Sequence, residues 1–250
     1  MKPASEFYAG LHATDKGYSA GTYHFASLWS LRAFRQWAEG RRGGSIRILD
    51  VGVGKGLFLR EMVNTFKSRW NISATRVTGL DLVRSPDDHF AEITDKFEFV
   101  QQDTDGNPLP FPDASFDFVT CNHVLEHVFE TENLVSEIRR VISPQGLAII
   151  STPNLAAWIN RVALLWACQP LGTELGTKSV TYGFSPRCLQ AKLAKFHPSG
   201  HIRDFTPRGL HDLTNACGFE TAGWWPQSEG FIARLGKWAG RNMGIVLRPK

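Results

Sequence analysis

Asp50, Gly52, Gly54 and Gly56 occupy alternate positions of one short stretch, DVGVGKG, that follows the apolar run IRIL and precedes a segment with helical spacing. Closely spaced glycines let a backbone approach a ligand and aim amide N–H groups at its polar end. Asp81 ends a second apolar run 25 positions beyond Gly56, where a carboxylate can accept both hydroxyls of a ribose. The dinucleotide fingerprint G-x-G-x-x-G needs its third glycine at position 57, which is Leu57, so the spacing disfavours NAD. A G-x-G-x-G turn suits a nucleoside ligand with no pyrophosphate to seat. Taken singly, each glycine also reads as a tight turn, and Asp50 or Asp81 as a helix cap or a surface carboxylate. The order and spacing of the four residues favour the ligand reading.

Histidine is the side chain that changes charge near neutral pH, and therefore the usual base for a hydroxyl that must lose its proton. The candidates are His123 and His127 in CNHVLEH and His201 in SGHIRDF. His127 lies four residues after His123, so on a helix both share one face, with Glu126 turned about a hundred degrees aside. That pair lacks the H-E-x-x-H arrangement, and no metal is expected. His201 precedes Thr206-Pro207, a good N-cap and N1 pair for a following helix.

The elements that must hold these residues alternate along the chain. IRILDVG, RVTGLDLV, FEFVQQD, FDFVTCN and GLAIISTPN read as strands, with TAGWW and MGIVLRPK as two more near the end. LFLREMVNTFKSRW places Leu57, Phe58, Met62 and Phe66 at helical spacing; FDFVTCNHVLEH reads as a strand running into a helix; helices are also expected over 132–142 and from Pro207 to a glycine stop at Gly218. Strands alternating with helices imply a parallel sheet with right-handed crossovers. The reading is an α/β, Rossmann-like doubly wound seven-stranded sheet. An N-terminal helical cap takes residues 1–44, the core 45–154, an inserted helical lid 155–205, and the C-terminal part of the sheet 206–250. The cap carries Tyr18, Tyr23, His24, Phe25 and Trp29 and a helix from about Ser27 to Glu39 ending at Gly40, Gly43 and Gly44.

LDVGVGKG, GLDLV, the strand end at Asp103, LPFPDASFDFVTCNHVLEHV and GLAIISTPN resemble, in order, the motifs of class I S-adenosylmethionine-dependent methyltransferases over residues 46–154. The PFPDASFDFV and HVLEHV phrases are similar to the small-molecule branch that includes ubiquinone-pathway O-methyltransferases. The resemblance implies S-adenosylmethionine as cofactor and S-adenosylhomocysteine as product. It places Asp50, Gly52, Gly54 and Gly56 at the methionine part, Asp81 and Leu82 at the ribose and adenine, Asp103 and Thr104 at the adenine amino group, and Asn122 with His123 beside the sulfonium. Methyl transfer is an in-line displacement at a carbon activated by positive sulfur, so the protein mainly aligns acceptor and methyl. For a hydroxyl acceptor, His123 and His201 are the catalytic candidates, and His127 packs structurally. Asn154 reads as the cap of a helix starting at Leu155. Trp158, Arg161 and Trp166 on that helix line an acceptor pocket or belong to the core, and Arg161 suits an anionic acceptor.

The 250 residues carry 42% apolar side chains, enough for one large core. MKPASEFYAGLHATDKG lacks the apolar core of a signal peptide, and the apolar run Val162 to Cys168 is too short to span a bilayer, so the chain reads as cytoplasmic. Cys121, Cys168, Cys188 and Cys217 form no CxxC pair, against a zinc knuckle or a disulfide framework. A net charge of +4 allows an anionic or carrier-linked small-molecule acceptor, but there is no basic-aromatic module for nucleic acid. Arg234, Lys237, Arg241, Arg248 and Lys250 crowd the end of the chain, as a contact for lipid headgroups or as a solvated face. A DNA amino-methyltransferase would show N/D-P-P-Y where Cys121-Asn122-His123-Val124 stands. O-methylation is the leading reading. The rivals are N-methylation of a small molecule and a noncatalytic cofactor-binding module.

Overall fold

The computed structural model describes residues 33–38, 46–72, 74–183, 190–191, 194, 198–227 and 240–250. The expected aromatic cluster of the cap, most of the second lid helix, Arg234 and Lys237 lie outside the described residues; of the cap helix, residues 33–38 are described and helical.

All seven expected strands form one sheet. β1 (Ile46–Val51), β2 (Ala74–Asp81), β3 (Phe97–Gln101), β4 (Phe116–Asn122) and β5 (Ile142–Pro153) run parallel, and β7 (Asn242–Pro249) inserts antiparallel between β5 and β6 (Phe219–Gln227), giving the order β3-β2-β1-β4-β5-β7-β6. Among the described residues, helices of eight residues or more are α1 (Leu57–Trp70), α2 (Thr131–Val141), α3 (Trp158–Leu165) and α4 (Pro207–Ala216). Strands covered on both faces are buried at nearly every position, and β4 is buried from Phe116 to Cys121 without a break, its polar Asp117 and Thr120 bonded to Arg47 and Asp50. Alternate residues serve opposite layers. Leu49, Val51, Val119, Cys121 and Ile150 pack with Leu134, Val135 and Ile138 of α2 and Leu210 of α4. Ile48, Phe118, Ile149 and Val246 pack with Leu59, Met62 and Phe66 of α1. The described piece of the cap belongs to this second layer, where Phe34 stacks on Phe66 at 3.6 Å between ring centroids and the Trp37 indole donates to the Gln145 carbonyl at 2.8 Å.

Several boundaries differ from the sequence reading. Helix α3 starts at Trp158, because the Asn154 side chain is spent on the turn before it: its oxygen accepts the Ala156 amide at 2.9 Å and its NH2 donates to the Gly240 carbonyl at 2.9 Å. Strand β3 stops at Gln101, two residues short of Asp103. Thr206 does cap α4, accepting the Gly209 amide at 3.1 Å, with Pro207 in the first turn. The proline-rich loop before β4 is held by Arg140, which donates to the carbonyls of Leu109 and Phe111 and pairs with Asp113 and Glu137.

Candidate active site

In this sheet the strand order reverses between β1 and β4, and in open α/β sheets ligands bind at that switch point, outside the carboxyl ends of the strands. Register places the sequence candidates there. Val51, the last residue of β1, is level with Leu80 and Cys121, so Gly52, Asp81 and Asn122 form the next row, continued by Ser151 beside Asn122. One row deeper, Asp50 is level with Thr120 and accepts its hydroxyl at 2.7 Å. Burial pushes the Asp50 carboxyl up to about 8; the Thr120 bond works against this and the nearby Asp81 charge adds to it.

The glycine turn is required, but not for the reason the spacing implies. Gly52, Gly54 and Gly56 all have positive φ, a region that L side chains rarely adopt. A Cβ on Gly52 would lie 2.2 Å from a Val124 methyl, whereas one on Gly54 would meet nothing within 4 Å. The amides themselves are engaged inside the protein: Gly52 N–H donates to the Leu80 carbonyl at 2.7 Å, Gly56 N–H to Val53 at 2.9 Å, and Gly54 N–H to Oδ2 of Asp81 at 2.8 Å. These three glycines therefore contribute backbone path and clearance at the cleft, not amides aimed at a ligand. The neighbouring Lys55, largely buried, pairs with Asp87 at 2.7 Å and fixes the segment after β2 that carries Leu82.

Asn122 and Ser151 meet across β4 and β5, the Ser151 hydroxyl donating to Oδ1 of Asn122 at 2.8 Å. Nδ2 of Asn122 is buried without a hydrogen-bond partner, a costly state unless a ligand supplies the acceptor. Asp103 is exposed and its carboxylate accepts the Asp105 amide at 3.0 Å; Thr104 next to it is buried. Asp105 in turn accepts the amides of Phe129 and Glu130, capping α2 from outside its own sequence.

The expected helix through His123 and His127 is not there. The His123 amide continues the β4–β5 ladder by donating to the Ser151 carbonyl at 2.9 Å, and His123 itself sits at φ 56. A left-handed residue cannot carry an α-helix forward, so only a single 3₁₀ turn, Leu125–His127, follows. This turn gives the leading part to Glu126, which the sequence reading turned aside. Its carboxylate is buried, with Oε1 3.0 Å from Nδ1 of His123 and Oε2 accepting the Thr152 hydroxyl at 3.1 Å. Burial by itself would raise Glu126; the bond from His123 and the charges of His123, His127 and His201 outweigh it and hold the carboxyl at about 2.

Behind this pair stands the segment that leads into α4. The Glu126 carbonyl accepts the Ile202 and Arg203 amides, Nδ1 of His127 lies 3.2 Å from the Gly200 carbonyl, and the rings of His127 and His201 are 5.0 Å apart. Burial lowers His127, as expected for a packing histidine. Nδ1 of His201 lies 2.8 Å from the Gly172 carbonyl. Glu126, His127 and His201 each bring a ligand-capable atom within 4.8 Å of the others, a grouping that the His123/His127 spacing does not reveal because Glu126 and the distant His201 complete it. Trp158 at the start of α3 and Trp166 just after its end are 40% and 78% exposed, so the two tryptophans are not core, and Nε of Arg161 donates to the Ala156 carbonyl.

A doubly wound sheet in this strand order, with a glycine turn after β1 and an acidic end to β2, is the class I methyltransferase fold. Residues 24–222 match a family model described as a methyltransferase domain, and the chain belongs to that family. The chain is similar to the ubiquinone biosynthesis O-methyltransferase of Pectobacterium carotovorum, 29% identical over 70% of each chain, and it spans between 56% and 70% of the length of the curated relatives it matches. Among solved structures it is similar to an S-adenosylmethionine dependent methyltransferase from Mesorhizobium loti (21% identity, TM-score 0.55, 82% of this chain and 91% of that one). It is also similar to the Burkholderia thailandensis 1,6-didemethyltoxoflavin-N1-methyltransferase bound to S-adenosylhomocysteine (16%, TM-score 0.54, 100% and 92%). The chain is an S-adenosylmethionine-dependent methyltransferase. Its residues fit that cofactor: Gly54 leaves open space, Asn122 offers an orphaned buried donor, and Asp50 and Asp81 present carboxyls on adjacent strands. Among the described residues no helix is long and apolar enough to cross a membrane.

Proposed function

We propose that the chain methylates a hydroxyl of a small molecule, and that His123 takes the hydroxyl's proton. The observation that carries this reading is the His123–Glu126 pair, an imidazole at the carboxyl end of β4 backed by a buried carboxylate. When bound, the cofactor supplies a methyl group on positively charged sulfur. Asp50, Asp81 and Asn122 hold it at the switch point, with Leu82, Asp103 and Thr104 on the adenine side. A phenolic hydroxyl, with an acidity near that of tyrosine at about 10, gives its proton to an imidazole base more readily than an alkyl alcohol does. The relatives named for O-methylation in ubiquinone biosynthesis support the same chemistry. The described residues 155–183 and 198–205, with His201 before α4 and Leu164, Leu165 and Trp166 exposed on α3 and just after it, form the acceptor side of the cleft and admit an acceptor with an apolar part.

The test is methyl transfer from labelled S-adenosylmethionine to catechol (1,2-dihydroxybenzene) and to aniline in parallel. Methylated catechol, falling about 100-fold in His123→Asn, supports the reading. Transfer to aniline alone, or an undiminished rate in His123→Asn, overturns it.

A further inference from the structure

Among the described residues two buried side-chain polar atoms lack a hydrogen-bond partner, Oγ1 of Thr78 inside β2 and Nδ2 of Asn122 at the carboxyl end of β4. The second lies at the switch point, and a buried donor left unpaired is costly enough that a ligand is the expected acceptor. We infer that Nδ2 of Asn122 donates to the carboxylate of the cofactor's methionine part, and that Ser151 is the positioning residue that turns the amide to do so. This inference rests on the proposed placement of the cofactor at Asn122 and is independent of the acceptor.

Three observations carry it. The glycine turn keeps its amides to itself: those of Gly52 and Val53 donate to the Leu80 carbonyl, that of Gly54 to Asp81 and that of Gly56 to Val53, so a carboxylate brought to this turn needs donors from elsewhere. Strand order then separates the two ends of the ligand. Asp81, the carboxylate suited to the ribose hydroxyls, closes β2 on one side of β1, whereas Asn122 and Ser151 stand on β4 and β5, on the other, so the amino-acid end is the part that faces the amide. Finally, the amide is turned by a neighbour. Its Oδ1 accepts the Ser151 hydroxyl at 2.8 Å, and Ser151 is fully buried.

An asparagine whose oxygen is taken presents its NH2 to what lies opposite. Thr120, two residues earlier on the same face of β4, donates its hydroxyl to Asp50, so a carboxyl for the ligand's ammonium stands one row below a donor for its carboxylate. The two possible orientations of the amide predict opposite partners. Turned over, Nδ2 would donate to the Ser151 hydroxyl and Oδ1 would meet the ammonium instead.

The probes are S-adenosylhomocysteine, its decarboxylated analogue, which keeps the amine, and methylthioadenosine, which lacks the whole amino-acid end, each titrated calorimetrically into the full chain. Asn122→Ala should weaken S-adenosylhomocysteine about 10- to 100-fold, the loss of one hydrogen bond to a charged group, and leave the other two ligands within about twofold. Asn122→Asp keeps the bond from Ser151 but sets a like charge against the carboxylate. It should also lose affinity for S-adenosylhomocysteine while the decarboxylated analogue binds as well or better, and it serves where Asn122→Ala does not fold. Ser151→Ala frees the amide and should weaken S-adenosylhomocysteine alone, by about three- to tenfold. A spectroscopic signature separates positioning from packing. In the chain labelled with 15N-asparagine, the side-chain NH2 signals lost in the Asn122 variants should move on adding S-adenosylhomocysteine, stay in place with the decarboxylated analogue, and move less in Ser151→Ala.

Equal losses for all three ligands in Asn122→Ala make Asn122 a structural residue, and losses shared by the two amine-bearing ligands assign its oxygen to the ammonium; either result overturns the inference. So does an unchanged affinity in the Asn122 variants, or a wild type that binds S-adenosylhomocysteine no more tightly than its decarboxylated analogue. An unmoved affinity and NH2 shift in Ser151→Ala overturn the positioning role of Ser151. These are binding measurements, so their failure leaves the hydroxyl acceptor and the base at His123 to be decided by transfer in His123→Asn.

Discussion

The carboxylate of Asp81 accepts the backbone N–H of Gly54 at 2.8 Å, so the residue that closes β2 also ties down the turn that leaves β1. Loss of the side chain therefore removes two things, a ribose acceptor and a brace for the glycine turn. Hydrogen bonds to a charged group contribute about 1.5–3 kcal/mol each, and every 1.4 kcal/mol is about tenfold in affinity. Asp81→Ala should weaken S-adenosylhomocysteine binding about 100-fold or more by calorimetry, whereas Asp81→Asn, whose amide oxygen can still accept the Gly54 N–H, should lose about tenfold. Equal affinity in Asp81→Ala and wild type would remove Asp81 from the cofactor site.

Asp50 gives a pH dependence of stability and of binding. Its folded carboxyl titrates near 8, against about 4 in an unfolded chain. Below the unfolded value both states hold the proton; between the two values the unfolded chain releases a proton that the folded chain keeps, so stability is lost as pH rises toward 8. Asp50→Asn abolishes this dependence. Its melting temperature should match that of wild type at pH 4 and exceed it at pH 8 by on the order of 5 °C, with weaker cofactor binding as the counterpart. Positive sulfur favours the ionised carboxylate, so binding S-adenosylmethionine at pH 7 should expel a proton from Asp50. Calorimetric enthalpies that agree between phosphate and Tris buffers would show that no such proton is released.

The sheet was legible because its signal is periodic and local. Apolar-rich runs such as Gly146 to Ile150 mark strands covered on both faces, and Leu57, Phe58, Met62 and Phe66 mark one face of α1. Asp50, Asp81 and Asn122 were legible as strand ends, and register brings them to one edge. The turn after β4 was not. Nothing in CNHVLEH announces the positive φ of His123, which depends on its amide pairing with Ser151 of another strand, and without that twist the i,i+4 spacing reads as a helix. Glu126 was missed for the same reason. The engagement of the Gly52 and Gly54 amides was not legible because their acceptors, Leu80 and Asp81, arrive from a strand more than twenty residues away. Non-local partners of this kind have no local sequence signature.

Glu174 carries the last prediction. Its two carboxylate oxygens accept three successive amides, Ser199 at 2.6 Å, Gly200 at 2.8 Å and His201 at 3.2 Å, which joins the loop after α3 to the segment before α4. Through Gly200 and His201 the same clasp reaches His127, and through Ile202 it reaches the Glu126 carbonyl. A carboxylate on consecutive amides is a charge-assisted contact, so its loss should open this segment locally without unfolding the sheet. Glu174→Ala should speed hydrogen exchange of the Ser199, Gly200 and His201 amides about 10- to 100-fold and raise the KM for the acceptor, while S-adenosylhomocysteine binds as before. Glu174→Gln keeps one acceptor oxygen and should fall between the two. Unchanged exchange at those amides would show that the segment before α4 is held by the Glu126 carbonyl and the histidines alone; slower exchange elsewhere in the sheet would be no part of this effect, because the clasp touches no strand.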